Sequence, residues 1–576
     1  MEIIKNKFNY LKSSKWLYII WPYLLLLFVH IIFVANAQQP WIMYDEFIQL
    51  GHARYLAGGE PWMFLSETPY AHFGYTLFLV PIFWFFSDPV FIYKAMLIIN
   101  AVLASALYFP IYYILKNLFT LKKKIITSIA IITCLYPAFV VQSIIVWQDA
   151  VIFTFYTTSV ALLLYFLKTK TYTSAILFSC SVGFLYMMHV RVLPVLIITV
   201  LFLLFLGIYR RELIKKIALG ILIIFIFFVV TKLVNEHMMT VMWQGGVTHY
   251  SLPSMFTRLT TLAGLKIFFS RIFGQLWYLL QATYGLFFFG LIYLIQYIWQ
   301  NRKETLQKTL EDKKILTLVY LLLTSLGVFF ASVLFTSVSI SGRPDWPIYG
   351  RYNELFLVPF IFLALVSFYL KKNCKWHYIA VILLIVFTGF LVHQEYLIDR
   401  RAGAPINIAG VSLWFFIFQT VHVFIISAIT LALILLLKRF FAKKFIYGIF
   451  ILFILFGMNI LVYRSSYFNL KNIFLQANHL LDKIDSLKVN DVYYYDDLFC
   501  KNEKTKAEES FMNYNIHNYQ WQLPHINFHF LNKIEKETLK YEYIIASACW
   551  EPPDNIQAKI IQEDDFGLQA IWKIEE

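Results

Sequence analysis

The feature that most constrains this chain is an alternation of apolar runs of roughly twenty residues with short clusters of Lys and Arg. A helix of that length spans the ~30 Å hydrocarbon layer of a bilayer. The clusters are KNKFNYLKSSK near the start, LKKK at Leu121–Lys124, KTK at Lys168–Lys170, RRELIKK at Arg210–Lys216, NRKETLQKTLEDKK at Asn301–Lys314, KKNCK at Lys371–Lys375 and KRFFAKK at Lys438–Lys444. Basic residues beside spans stay on the cytoplasmic side. Successive clusters are therefore separated by an even number of crossings.

That parity rule decides the N-terminal part. Three apolar stretches, Trp16–Ala37, Phe73–Phe86 and Phe91–Phe119, lie between the first cluster and LKKK, so one of them must not cross. The middle one, FGYTLFLVPIFWFF, is short and contains a proline, and is expected to be an interfacial or re-entrant part of a first external loop, residues 38–90. The rest alternates as spans near 91–119, 125–146, 150–167, 172–188, 192–209, 217–234, 275–299, 315–338, 354–370, 377–393, 412–437 and 445–463. This predicts an α-helical polytopic membrane protein of about thirteen transmembrane helices, with the N-terminus cytoplasmic. The first span is expected to be retained rather than cleaved as a signal peptide. Residues 1–463 form this part, and residues 464–576, with strand-like runs DVYYYDDL and YEYIIASACW and a hairpin-like run AKIIQEDDFGLQAIWKI, are expected to form a small extracytoplasmic α/β domain.

Composition agrees. A chain that is 60% hydrophobic and 14% charged is not a soluble domain. Its net charge of +15 lies largely in the orienting clusters and so does not indicate a nucleic-acid partner. Most carboxylates before residue 464 map to the external side rather than to mid-span, where channels and coupled transporters keep ionisable groups. Cys500 and Cys549 share the external domain, where either a disulfide or two free thiols is open. No CxxC or HExxH spacing is present.

Four short stretches carry groups suited to chemistry at the outer interface. In YDEFIQLGHARYLAGG, Asp45 and Glu46 open what reads as an amphipathic helix lying on the membrane and ended by Gly58 and Gly59, where acids also suit the helix dipole. In VWQDAVIF, Asp149 sits in a short hairpin and reads equally as a helix cap. In YMMHVRVLP, Arg191 is held close to the interface, either snorkelling or binding an anion. In ISGRPDWPIYGRYNELFLVP, Arg343, Arg351 and Tyr352 suit a phosphate, because a guanidinium binds one bidentately.

Taken in order, these motifs resemble those of the GT-C class of membrane glycosyltransferases that use polyprenyl-phosphate sugars, particularly the protein mannosyltransferase and lipid A aminoarabinose transferase-like branch. The resemblance rests on YDE after the first span, TPYAHFGYTLFLVP after it, WQDA, HVRVLP and YGRY, and covers the layout of the whole chain. It implies a polyprenyl-phosphate (undecaprenyl-phosphate-type) sugar donor and an extracytoplasmic acceptor: a cell-envelope glycan, teichoic acid, lipid-linked saccharide or protein. Asp45 would be the general base, with Glu46 and Asp149 positioning acceptor, sugar or a divalent metal; Arg191 and Arg351, with Tyr352, Arg343 or His72, would hold the phosphate. If a metal is used, Asp45 and Asp149 are its candidate ligands. The chain has no WWDYG string and no DxD pair, which disfavours transfer of whole glycans to Asn and leaves metal dependence open. The alternatives are a transporter or flippase of lipid-linked glycan, which leaves YDE and the appended domain unexplained, and an O-acyltransferase or glycan ligase, for which His189, His393 and His422 are candidates.

Overall fold

The computed structural model describes residues 17–35, 37, 40, 44–62, 64, 70–243, 256–257, 259–301, 311–338, 345–396, 405–418, 422–475, 479–495, 520–523, 525–531, 542–547, 550, 552, 556–563 and 569–575. Arg343, Cys500 and Cys549 lie outside them.

Among the described residues, eight helices are long and apolar enough to cross a membrane, or nine if one bent pair counts as a single span. They are Pro89–Leu118, Ile152–Thr169, Val190–Tyr209, Arg211–Met242, Lys313–Ser337, Lys375–Glu395, Val423–Lys443 and Phe445–Arg464. The remaining expected spans correspond to shorter apolar helices, Ile19–Val34, Tyr172–Met188 and Glu354–Tyr369, and to interrupted stretches. The protein is a multi-pass membrane protein. Large apolar side chains such as Phe225, Leu233, Leu383 and Phe390 face outward from the bundle, as lipid contact requires.

Breaks occur where local chemistry demands them. The span expected at 275–299 is two helices, Leu262–Ala282 and Leu286–Asn301, bent by 103°. Tyr284 and Gly285 at the bend take φ values of 50° and 78°, a left-handed pair that no straight helix accommodates. The span expected at 125–146 divides into Lys123–Cys134 and Pro137–Gln142, because Pro137 cannot donate into the preceding turn. The run at 412–437 contains two helices, Ser412–Phe418 and Val423–Lys443, the second preceded by a non-helical His422. Thr76–Phe85, the run required not to cross, is a ten-residue apolar helix, too short to do so.

The 44–56 helix differs from expectation. Rather than resting on a surface, it is buried from Glu46 through Ala53, including Gln49 and His52. It ends as its glycines predict: Gly58 (φ 94°) donates to Tyr55 O and Gly59 to Arg54 O, the paired bonds of a Schellman stop.

Near the C-terminus five strands form one mixed sheet: β1 (Asp491–Tyr495), β2 (Asn527–Leu531), β3 (Tyr543–Ser547), β4 (Gln557–Glu563) and β5 (Gln569–Glu575), in the order β2-β1-β3-β5-β4. β1 is parallel to β2 and β3, and β4 and β5 are the antiparallel hairpin expected from AKIIQEDDFGLQAIWKI. Alternation along the strands supplies two apolar faces. Val492, Tyr494 and Ile545 pack under Leu480 and Ile484 of the 479–486 helix, while Tyr493, Ile544 and Trp572 pack with Trp550 on the other side.

Candidate active site

Residues from four distant parts of the chain converge at one end of the bundle. Asp149 stands in a 3-10 turn, Gln148–Ala150, just before the helix Ile152–Thr169. It does not cap that helix, whose cap position is Val151 with no side-chain bond. Its carboxylate turns instead to two arginines. Oδ2 accepts from Arg351 Nε at 2.7 Å and pairs with Nη2 at 2.5 Å, and Oδ1 pairs with Arg191 Nη2. Arg351 then reaches across with Nη1 to Asp45 Oδ2 at 2.7 Å. Two carboxylates and two guanidiniums thus form a balanced quartet.

Burial separates their roles. The side chains of Asp149, Arg191 and Arg351 are 0%, 5% and 8% exposed, whereas that of Asp45 is 28% exposed. Solvent therefore reaches the quartet chiefly at Asp45. Arg191 Nε and Nη1 are buried and have no partner among the described residues. A buried charged donor without an acceptor is costly, so this edge of Arg191 suits an incoming anion.

The supports are aromatic and polar. The Arg351 guanidinium lies 3.9 Å above the Trp147 ring, and Arg191 lies 5.3 Å from the Tyr352 ring. Contacts of this kind are worth about 2 kcal/mol when desolvated, and a planar guanidinium can in addition stack on the ring. Burial opposes the Arg351 charge, but Asp149 and Asp45 more than compensate and hold its pKa well above the ordinary value. The Arg191 backbone N–H donates to His189 Nδ1 at 3.1 Å, so this nitrogen is the acceptor; burial, with Arg191 and Arg351 beside it, keeps the ring neutral.

The loop carrying Arg351 is fixed from below. Gly350 N–H and Arg351 N–H both donate to Asn407 O, at 3.0 and 2.9 Å. Gly350 leaves no room for a side chain, because an added Cβ would collide with the Tyr278 ring. Three residues on, buried Glu354 accepts from Tyr278 Oη and Gln142 Nε2. Asn353 Nδ2 donates to Gln275 Oε1 at 2.7 Å.

Glu46 belongs to the frame rather than to the quartet's bonds. It is fully buried, and Oε1 accepts from Tyr93 Oη at 2.8 Å and from Val146 N–H at 2.9 Å, tying the 44–56 helix to the turn that presents Asp149. Gln49 Nε2 adds a bond to Gln148 Oε1 at 2.9 Å, and Thr76 Oγ1 donates to Gln49 Oε1 at 2.6 Å. His72 is also buried, with Nδ1 2.9 Å from Tyr186 O. His393 and His422 pack on Phe424 and Phe418. Trp147, Gln49 and Gln148 were not anticipated, although Gln49 is one helical turn from Asp45 and Trp147 and Gln148 adjoin Asp149.

A metal bridging Asp45 and Asp149 does not fit these residues. The Arg351 guanidinium already fills the place between the two carboxylates. Among the described residues no three His, Cys, Asp or Glu side chains group closely enough to hold an ion.

Among solved structures, ArnT from Cupriavidus metallidurans in the apo state aligns with a TM-score of 0.50 and 10% identity, over 96% of this chain and 97% of that one. ArnT from the same organism bound to undecaprenyl phosphate aligns at 0.49 and 10% identity, over 97% and 98%. The archaeal oligosaccharyltransferase AglB from Archaeoglobus fulgidus, in complex with an inhibitory peptide and a dolichol-phosphate, aligns at 0.41 and 12% identity, over 93% and 70%. No protein-family model and no curated protein sequence matches. The likeness to apo ArnT establishes the fold, which is the fold that the resemblance of the motifs implies.

Proposed function

We propose that the protein is an inverting glycosyltransferase that moves a sugar from a polyprenyl phosphate to a hydroxyl of an extracytoplasmic acceptor such as a cell-envelope glycan, a teichoic acid or a lipid-linked saccharide. The observation that carries this reading is the quartet: two buried arginines converge on Asp149 beside a partly exposed Asp45, and Arg191 holds two N–H-bearing nitrogens in reserve. The ArnT-like fold supports it. The quartet faces the extracytoplasmic side, as does the 464–576 domain, and the basic clusters face the cytoplasm.

In the resting arrangement Arg351 masks Asp45. The donor phosphate approaches from the open side and takes N–H donors from Arg351 and Arg191, which releases the Asp45 carboxylate. The acceptor oxygen then attacks the anomeric carbon opposite the phosphate while Asp45 takes its proton. The C–O bond to phosphate breaks, its electron pair leaves with the polyprenyl phosphate, and the arginines stabilise the growing charge; one such contact is worth ~3 kcal/mol. Asp149 keeps both guanidiniums aimed, and the Glu46 bonds keep Asp149 in place.

The test is to give the purified full-length protein a polyprenyl phosphate carrying a radiolabelled sugar and to follow label transfer or hydrolysis. Wild-type protein should consume the donor and the correctly inserted Asp45→Asn variant should not. Equal turnover by both would remove Asp45 as the base.

A further inference from the structure

A cavity lies at the far end of the Tyr44–Leu56 helix, away from Asp45. It has a volume of 320 Å³, at the lower end of small-molecule sites, and is bounded on one side by Arg54, Glu60 and Trp62 and on the other by Gln520, Asn527 and His529. It therefore joins the 44–62 stretch to β2, the edge strand of the C-terminal sheet. Trp62 also meets Trp521 edge-on, with centroids 6.4 Å apart.

We propose that this cleft is a subsite for a neutral saccharide, holding the part of the acceptor that lies beyond the attacking hydroxyl. The inference rests on the transferase reading above. Three observations support it. First, Trp62 lines the cavity and is packed edge-on against Trp521, which gives the space an aromatic wall on which the C–H face of a sugar can rest. Second, guanidinium, carboxylate, carboxamide and imidazole groups stand around one small space, a mixture of donors and acceptors that matches hydroxyls, which do both. Third, the charges cancel locally: Arg54 faces the field of Glu60, and His529 Nε2 lies 2.7 Å from Asp491 Oδ1. Among the described residues that line it, a phosphate-bearing polymer would find no excess positive charge. A peptide added to the edge of β2 would meet the 60–62 segment that lines the cavity.

Placement gives the cleft its purpose. Nine residues separate Asp45 from Arg54 on one helix, a rise of about 13 Å. One rigid element thus sets the base at one end and the cleft at the other, so a short oligosaccharide seated at Arg54 presents its terminal sugar toward Asp45.

The experiment is binding of a panel of probes to the full-length protein in detergent: neutral hexose tri- to pentasaccharides, poly(glycerol phosphate) and a neutral peptide. A neutral oligosaccharide should bind, with affinity reduced about tenfold in both Glu60→Gln and Asn527→Ala, the loss of one or two polar contacts. Thermal unfolding identifies a variant that fails to fold, in which case the other decides. Absence of oligosaccharide binding, binding indifferent to the folded variants, or preference for the peptide or the phosphate polymer would overturn the proposal. Because the readout is binding, oligosaccharide capture without sugar transfer would sink the transferase reading and keep the cleft, and the reverse would sink the cleft alone.

Discussion

Asp45 and Arg351, 306 residues apart in the chain, meet at 2.7 Å between Oδ2 and Nη1. The same guanidinium binds Asp149 through Nε and Nη2, so one side chain links the helix that follows the first span to the turn before the Ile152–Thr169 helix. Under the proposed function, the donor phosphate and Asp45 compete for Arg351. Asp45→Asn removes the competing charge while removing the base. Undecaprenyl phosphate should bind the variant several-fold more tightly while transfer falls by about 100-fold or more, the range for loss of a general base. Weaker binding together with lost transfer would show that Asp45 holds the lipid rather than competing with it.

Arg351→Lys keeps the charge but loses the fork and the planar stacking over Trp147. Arg351→Ala loses everything and leaves Asp149 with Arg191 alone. Transfer should fall in the order wild type, Lys, Ala, with the alanine variant down by about 100-fold or more. It should also unfold more easily by about 3 kcal/mol, the cost of breaking a buried pair. Kinetics and thermal unfolding on the same preparations check both, and equal activity of Lys and wild type would reduce Arg351 to a point charge.

Glu46 should behave differently from its neighbour. Glu46→Gln retains an oxygen for Tyr93 and the Val146 N–H, so transfer should stay close to wild type; Glu46→Ala strands a buried N–H and should cost about 1–3 kcal/mol of stability. If the glutamine variant were as inactive as Asp45→Asn, Glu46 would belong to the reacting groups after all.

The contrast between the two acids shows what the sequence conveys. The spans and the four charged residues of the quartet are legible because apolar length and charge at a membrane boundary are local properties, whereas the runs at 125–146, 275–299 and 412–437 read as continuous spans and are interrupted in the structure. Glu46 looks identical to Asp45 locally, yet its partners are Tyr93 and Val146, 47 and 100 residues away. Glu354 likewise reaches Tyr278 and Gln142, 76 and 212 residues away, and no spacing encodes those pairings. The 44–56 helix was misread because Gln49 and His52 are polar; its burial depends on partners from elsewhere in the chain, including Gln148 and Thr76 for Gln49.

Chelation separates the arginine site from a metal site. With Arg351 between Asp45 and Asp149, removal of divalent ions by dialysis against a chelator should leave the transfer rate unchanged. Loss of activity, restored by a divalent ion, would mean that the guanidinium yields its place in the working enzyme.

Two buried histidines, His52 on the 44–56 helix and His72 beyond it, give the protein an acid-sensitive stability. His52 is fully buried against Tyr70 and Trp243, with ring centroids at 5.3 and 5.6 Å, and neither ring nitrogen has a partner among the described residues. Burial, with His72 nearby, lowers its pKa to about 3; burial lowers that of His72 to about 4, against a smaller upward pull from the Tyr186 carbonyl. The unfolded chain takes up both protons as pH falls through about 6.5, while the folded protein refuses them until about 4 and 3. Stability is therefore intact above about pH 6.5 and declines below it, by up to about 1.4 kcal/mol per pH unit for each ring. Thermal unfolding in detergent from about pH 7.5 to 4.5 reads this slope. His52→Phe keeps an aromatic ring against Tyr70 and Trp243 but removes one proton site, so its slope over that window should be shallower than wild type. Identical slopes would mean that water or a bonded partner reaches His52 and that its charge is not refused.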